Sequence, residues 1–199
     1  MKTLLSLFAS LALAGCATAG GDRPENTLFS RLSAICGKAY EGRIASPPVA
    51  ADASFAGKRL LMHVRECSTD TIRVPFHVGE DRSRTWVITR HGASLRLKHD
   101  HRHQDGSEDA LTQYGGDSDQ TILTAAGLIR EEFPADAFSK ELFVREKSPQ
   151  STPNIWALEF ASGQTFAYEL RRPGRFFRVE FDLTRPVAPP PPPWGSDRR

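Results

Sequence analysis

The chain has 199 residues, with 26 Lys and Arg against 24 Asp and Glu and a formal charge of +2. So even a balance carries no nucleic-acid signature, and 39% hydrophobic with 25% charged residues fits a water-soluble body with one moderate core, not a membrane-embedded one. The length suits one domain.

Met1 and Lys2 precede an apolar run from Leu4 to Ala14, then Gly15 and Cys16. One basic residue, a short apolar stretch and small side chains read as a secretory signal, too short to span a bilayer. The segment Leu13-Ala14-Gly15-Cys16 resembles the lipobox of bacterial lipoproteins. That resemblance implies removal of residues 1–15, acylation of Cys16 and membrane contact through lipid alone, durable when several acyl chains are attached. It also implies a place in the cell envelope. Ala17 in place of Asp after the cysteine points to the outer membrane, with the domain in the periplasm.

Residues 16–26 contain Gly20, Gly21 and Pro24 and read as a tether. The folded domain is expected over 27–185. Phe29, Leu32, Ile35 and Cys36 recur at helical spacing, a short helix leading into a first strand over Gly37–Ile44. Period-two alternation follows over Leu60–Arg65, Ile72–Val78, Thr85–His91, Leu95–His103, Glu108–Tyr114, Asn154–Phe160, Gln164–Arg171 and Arg175–Leu183. Turn signals separate these runs, Asp105-Gly106 being the strongest. About nine antiparallel strands in one domain favour a mainly β fold, a meander closed into a barrel without free edges. The stretch 117–153 breaks the rhythm and reads as a long insertion, either a cover for the barrel mouth or a surface elaboration, with Asp136 as N-cap of a helix through Ala137, Phe138, Leu142 and Phe143. Residues 186–199 form a Pro-rich tail, polyproline II over Pro189–Pro193 and then Trp194. It is either a terminal strap or a segment read by another envelope protein.

With Cys16 lipidated, Cys36 and Cys67 remain as an even pair in an oxidising compartment. A disulfide at the same end of neighbouring antiparallel strands is the expected arrangement, closing about 30 residues for about 3.5 kcal/mol. Two buried free thiols are the alternative, and without CxxC spacing zinc has less support.

The helix running into Gly37-Lys38-Ala39-Tyr40-Glu41-Gly42-Arg43, followed by a strand meander, resembles the opening of lipocalin-like (calycin) barrels, with Tyr40 where those families usually carry Trp. The resemblance implies a cup for a small apolar or amphipathic molecule. No His follows His103, so no haem site is carried over and no cofactor is expected.

The unusual chemistry lies in Leu95–His103. Alternation puts Leu95, Leu97, His99, His101 and His103 on the inward face, and Arg96, Lys98, Asp100 and Arg102 outside. Folding back about Asp105-Gly106 sets His103 opposite Glu108, His101 opposite Ala110, His99 opposite Thr112, Tyr114 across from Leu97, and Arg102 opposite Asp109. Three readings stand. The histidines fill a polar barrel end by pairing internally; His99, His101, His103, Glu108 and Tyr114 contact a ligand's polar head; or His99, His101 and His103 bind a transition metal, with Glu108 as a further ligand. No GxSxG elbow, HExxH helix, phosphate loop or Rossmann fingerprint is present, and Ser107 sits in a turn, so no catalytic residue and no enzymatic activity is expected. Arg171, Arg172, Arg175 and Arg178 crowd the last hairpin, with Arg82, Arg84 and Arg90 on outer faces. These could form a basic patch facing an anionic membrane surface, but the interleaved Glu169, Glu180 and Asp182 favour an ion-paired surface, while Trp86 and Trp156 belong to the core. The expectation is an envelope lipoprotein that binds a small amphipathic ligand; the alternative is a structural or interaction lipoprotein whose barrel is filled.

Overall fold

The computed structural model describes residues 27–196 apart from Ala93, Ala125 and Ser162. The signal segment, the lipobox with Cys16 and the tether lie outside the described residues.

The expected N-terminal helix is α1, Leu28–Ala34. Thr27 starts it through a reciprocal capping box: its side chain accepts from the Ser30 amide, and the Ser30 hydroxyl faces the Thr27 amide. Leu28, Phe29 and Leu32 are buried on its inner side, where α1 packs against β4 (Thr71–Val78), β9 (Ile129–Pro134) and β10 (Ile155–Ala161). The remaining strands are β1 (Ala39–Ile44), β2 (Leu60–His63), β3 (Glu66–Cys67), β5 (Asp81–His91), β6 (Ser94–His101), β7 (Tyr114–Asp117), β8 (Gln120–Leu123), β11 (Thr165–Arg172) and β12 (Arg175–Val187). All pairings are antiparallel, in the order β7-β6-β5-β4-β2-β1-β12-β11-β10-β9-β8, with β3 appended to β4.

The sheet is curled into a half-barrel, and its eleven-strand path replaces the closed barrel of about nine strands read from the sequence. Among the described residues no ladder joins the two ends. They are held together differently: β7 and β8 are consecutive in the chain, separated by Ser118 and Asp119, and the glycines of β7 lie against the end of β9. A Cβ on Gly116 would stand 1.8 Å from the Pro134 carbonyl oxygen, so any other residue would push the two backbones apart. The Asp136 amide donates to the Gly115 carbonyl at 2.9 Å.

The stretch 117–153 is therefore not a mere insertion, since it supplies β8 and β9 to the sheet. It also holds α2, Ala137–Arg145, capped by Asp136 as the sequence indicates. The Ser139 hydroxyl, fully buried, accepts from the Gly115 amide at 2.7 Å and fixes α2 on β7.

Cys36 and Cys67 form the expected disulfide, with Cα atoms 6.3 Å apart. Cys67 lies in β3, beyond the end of β2, because the second run breaks after His63. The bond pins the turn after α1 to the β3–β4 edge.

Along β4, β5, β10, β11 and β12 alternate residues point inward, and at the α1 end the interior is solid. Ile72, Ile88, Leu97, Phe160, Phe166 and Phe181 are all at most 2% exposed there. Outside, β9–β12 carry a ladder of ion pairs. Arg130 meets Glu132, Glu159 and Glu169; Arg178 meets Glu159, Glu169 and Glu180; Arg171 pairs with Glu132 and Arg43 with Glu180. The ion-paired reading thus holds for Arg171 and Arg178. The tail is laid against its own chain: Arg82 donates to the Pro192 carbonyl, the Trp194 amide donates to the Arg82 carbonyl, both at 3.1 Å, and Pro193 is buried.

Candidate functional site

Five inward rows change character at one level of the half-barrel. On β5 the row Ile88, Trp86 ends at Arg84; on β6 Leu97 gives way to His99 and His101; on β10 Trp156 is preceded by Asn154. On β11 Leu170 is followed by Arg172, and on β12 Phe177 is preceded by Arg175. The register agrees, since Arg84 stands across from His101 and Arg172 across from Arg175. These residues surround a cavity of about 300 Å³ at the end remote from α1.

Its floor is aromatic. Trp86 lies between Phe76 and Tyr168, with ring centroids 4.9 and 4.4 Å away, and His99 stacks on Tyr114 at 4.7 Å. Phe143 of α2 closes one wall, and Phe55, from the loop between β1 and β2, leans on Phe177 with centroids 4.6 Å apart. Asp52, nearly buried, takes the Arg175 guanidinium and holds that loop over the mouth.

Polar groups within the floor are ordered into a chain. The His99 Nδ1 lies 3.2 Å from the Tyr114 carbonyl oxygen, which can only accept, so Nδ1 carries the proton. Nε2 of the neutral ring then accepts from the Tyr168 hydroxyl at 3.0 Å. Beside it the Tyr114 hydroxyl and His101 Nε2 are 3.0 Å apart. Burial, then the neighbouring His101, pushes the His99 imidazole down to about 3; burial, then the Arg84 charge, takes His101 to about 4. Both are neutral at pH 7. Burial also raises the Tyr114 hydroxyl to about 12 and holds Tyr168 well above its usual range, so both phenols keep their protons. The chain is thus electrically neutral, with both His99 nitrogens engaged by protein.

The rim carries the charge. Arg84 is paired with Asp81 at 2.5 Å and Arg175 with Asp52. Arg172 donates to the Ser151 hydroxyl at 2.9 Å and the Asn154 side-chain carbonyl at 3.2 Å, and has no carboxylate partner among the described residues. Asp109, on the facing loop, accepts from the Leu111 amide at 2.8 Å and is the one carboxylate lining the cavity among the described residues.

Of the five side chains singled out from the sequence, His99, His101 and Tyr114 line the cavity. His103 and Glu108 do not; both are exposed and stand beyond the end of β6. The expected register fails by two residues at the strand: His99 pairs with Tyr114 and Leu97 with Gly116, while an isolated bridge joins Arg102, not His103, to Glu108. The turn around Asp105-Gly106 does form, with the His103 amide donating to the Ser107 carbonyl at 2.9 Å. Residues 109–113 then leave the ladder, Gln113 with φ 58°, so the turn does not set the strand register. Arg102 bonds Asp100 and Glu108 instead of Asp109. Among the described residues no group of three or more His, Cys, Asp or Glu side chains is placed to hold a metal ion.

Sequence reasoning missed the inward arginines and Asp109. Arg84, assigned to the outer face, shares the parity of Trp86 and Ile88, and Arg172 that of Phe166, Tyr168 and Leu170, so alternation alone places both inside. No protein-family model, no curated protein and no solved structure matches this chain.

Proposed function

We propose that this chain is a lipid-anchored protein of the bacterial envelope that holds a small amphipathic molecule in the mouth of its half-barrel. One observation carries the binding part. Five inward rows turn from apolar to polar at one level around a cavity of about 300 Å³, an apolar hollow with a few convergent polar groups, the common form of a small-ligand site. This reading gives the histidines a binding role: they are neutral, hydrogen-bonded to the two phenols, and serve as polar wall. The anchoring part rests on the lipobox-like segment ending at Cys16.

Native mass spectrometry after gentle extraction tests the binding part. A reproducible small molecule on the wild-type chain, absent from a Leu170→Trp variant that fills the cavity, is the expected result. A bare chain that takes up none of a panel of small amphiphiles would overturn it and favour the structural or interaction lipoprotein. In that case a partner reading the Pro-rich tail has to displace the bonds between Arg82, Pro192 and Trp194. Anchoring is checked by fractionation: Cys16→Ser moves the protein out of the membrane pellet.

A further inference from the structure

Resting on that reading of the cavity, we infer that the ligand is a compact organic monoanion, a carboxylate on a ring-bearing or short apolar body, with its head group on the Arg172 guanidinium. Three guanidinium groups stand on the rim, and their surroundings differ. Arg84 and Arg175 are neutralised within the protein, by Asp81 and by Asp52. Arg172 is satisfied only in part, by two neutral oxygens on Ser151 and Asn154, both reached from one terminal nitrogen. A guanidinium has five donors in a planar fork, and this one lines the hollow. A half-buried cation beside a second cation, with no anion of its own, is electrostatically incomplete, and a carboxylate entering the mouth completes it with charge-assisted bonds. Burial and then the neighbouring Arg175 disfavour its charge, and together they outweigh the favourable pull of Asp52, whose carboxylate is bonded to Arg175 and not to Arg172.

Charge around the mouth also limits the ligand. Asp109 faces the cavity from the opposite loop, and Asp52 and Asp81 stand behind Arg175 and Arg84. One uncompensated positive charge with a carboxylate across from it suits a single negative charge and disfavours a phosphate dianion. Below the rim, Leu170, Trp156, Tyr168 and Trp86 line the hollow with largely apolar surface and without further cations. The head therefore stays at the rim and the body points toward α1.

A matched pair of probes tests this on the purified full-length chain: 2-naphthoate, and the uncharged 2-naphthamide of nearly the same shape, followed by ligand-detected NMR against matched detergent without protein. Wild-type chain is expected to prefer naphthoate by about tenfold. Arg172→Gln should remove that preference by weakening naphthoate far more than naphthamide; Arg172→Lys should keep part of it, which separates loss of charge from loss of fold. Asp109→Asn should strengthen naphthoate binding by about threefold. Equal binding of both probes to wild type, displaced by Leu170→Trp, overturns the inference and leaves the cavity a binding site. If 1-naphthyl phosphate dianion outbinds naphthoate, the monoanion assignment falls. No binding of any probe overturns the inference and the proposed function together.

Discussion

The two ends of this half-barrel are made from the same strands and behave as opposite materials. Toward α1, the inward rows finish in Ile72, Ile88, Leu97, Phe160, Phe166 and Phe181, and the helix brings Leu28, Phe29 and Leu32 down on them. Toward the mouth the same rows finish in Arg84, His101, Asn154, Arg172 and Arg175, and a cavity remains. A row needs only one or two polar positions at its end to change from packing to receiving. Stability is concentrated at one end, leaving the other free to carry a site.

The largest effect should come from breaking the solid end. Phe166→Ala removes a fully buried ring from tight packing, and a cost of about 4 kcal/mol is expected, against about 2 kcal/mol for Leu170→Ala, which widens a hollow already there. Urea unfolding of the two variants measures the difference. Equal costs would mean that the mouth is packed as tightly as the base.

Next comes the disulfide, which ties the α1 end together. The double change Cys36→Ala with Cys67→Ala releases a link of sequence separation 31 and should cost about 3 kcal/mol, with the denaturant midpoint falling accordingly. Because the bond is remote from the mouth, probe affinity of the folded fraction should hold. A parallel loss of affinity would show that the ends are coupled.

Acid should act on the mouth before it acts on the outer ladder. His99 and His101 have folded-state values depressed to about 3 and 4, so between the ordinary histidine value near 6.5 and those values the unfolded chain binds more protons. Their stabilising contribution is complete above about pH 6.5 and is lost as pH falls, by up to about 1.4 kcal/mol per pH unit for each group. His77 on β4, lowered to about 4 by burial first, adds to the slope. Glu132 of the outer ladder is held at about 2, chiefly by its hydrogen bonds to Arg171, so its contribution is full above the ordinary value of 4.5 and is lost only between there and about pH 2. Unfolding free energy followed from pH 7.5 to 4 should hold to about pH 6.5 and fall below it; a flat profile would show that the imidazoles titrate in the folded state as they do in the unfolded chain.

Much of the packed end was legible in the sequence, and much of the mouth was not. Alternation exposed the parity of β6 and β12, Asp136 announced α2, and the pair of cysteines announced the disulfide. Alternation also fixed His99 and His101 as inward. What hid the rest was charge. In β9 the sequence Ile129-Arg130-Glu131-Glu132-Phe133 looks like a solvated run, yet Arg130 and Glu132 are outer-ladder residues and Glu131, inside, accepts from the Thr121 hydroxyl at 2.7 Å. The arginines at the row ends were read with the outer surface because neighbouring Arg171 and Arg178 do belong there. Register at β7 was misjudged because a turn signal fixes where the chain reverses, whereas Gly115 and Gly116 fix where β7 can approach its neighbours.

The finest test sets two arginines of adjoining strands against each other. Arg178 on the outer face meets three carboxylates, so Arg178→Gln leaves Glu159 and Glu169, both nearly buried, to share Arg130 as their one remaining cation among the described residues, and a cost of about 2 kcal/mol is expected. Arg172 has neutral oxygens alone, beside the Arg175 charge. Arg172→Gln removes a desolvated cation and retains a donor for Ser151 or Asn154, so the unfolding free energy should stay within about 0.5 kcal/mol of wild type. A half-buried, cation-flanked arginine that adds nothing to the fold would agree with the proposed contact to a ligand. A loss as large as that of Arg178→Gln would instead make Arg172 part of the scaffold, held there by its bonds to Ser151 and Asn154.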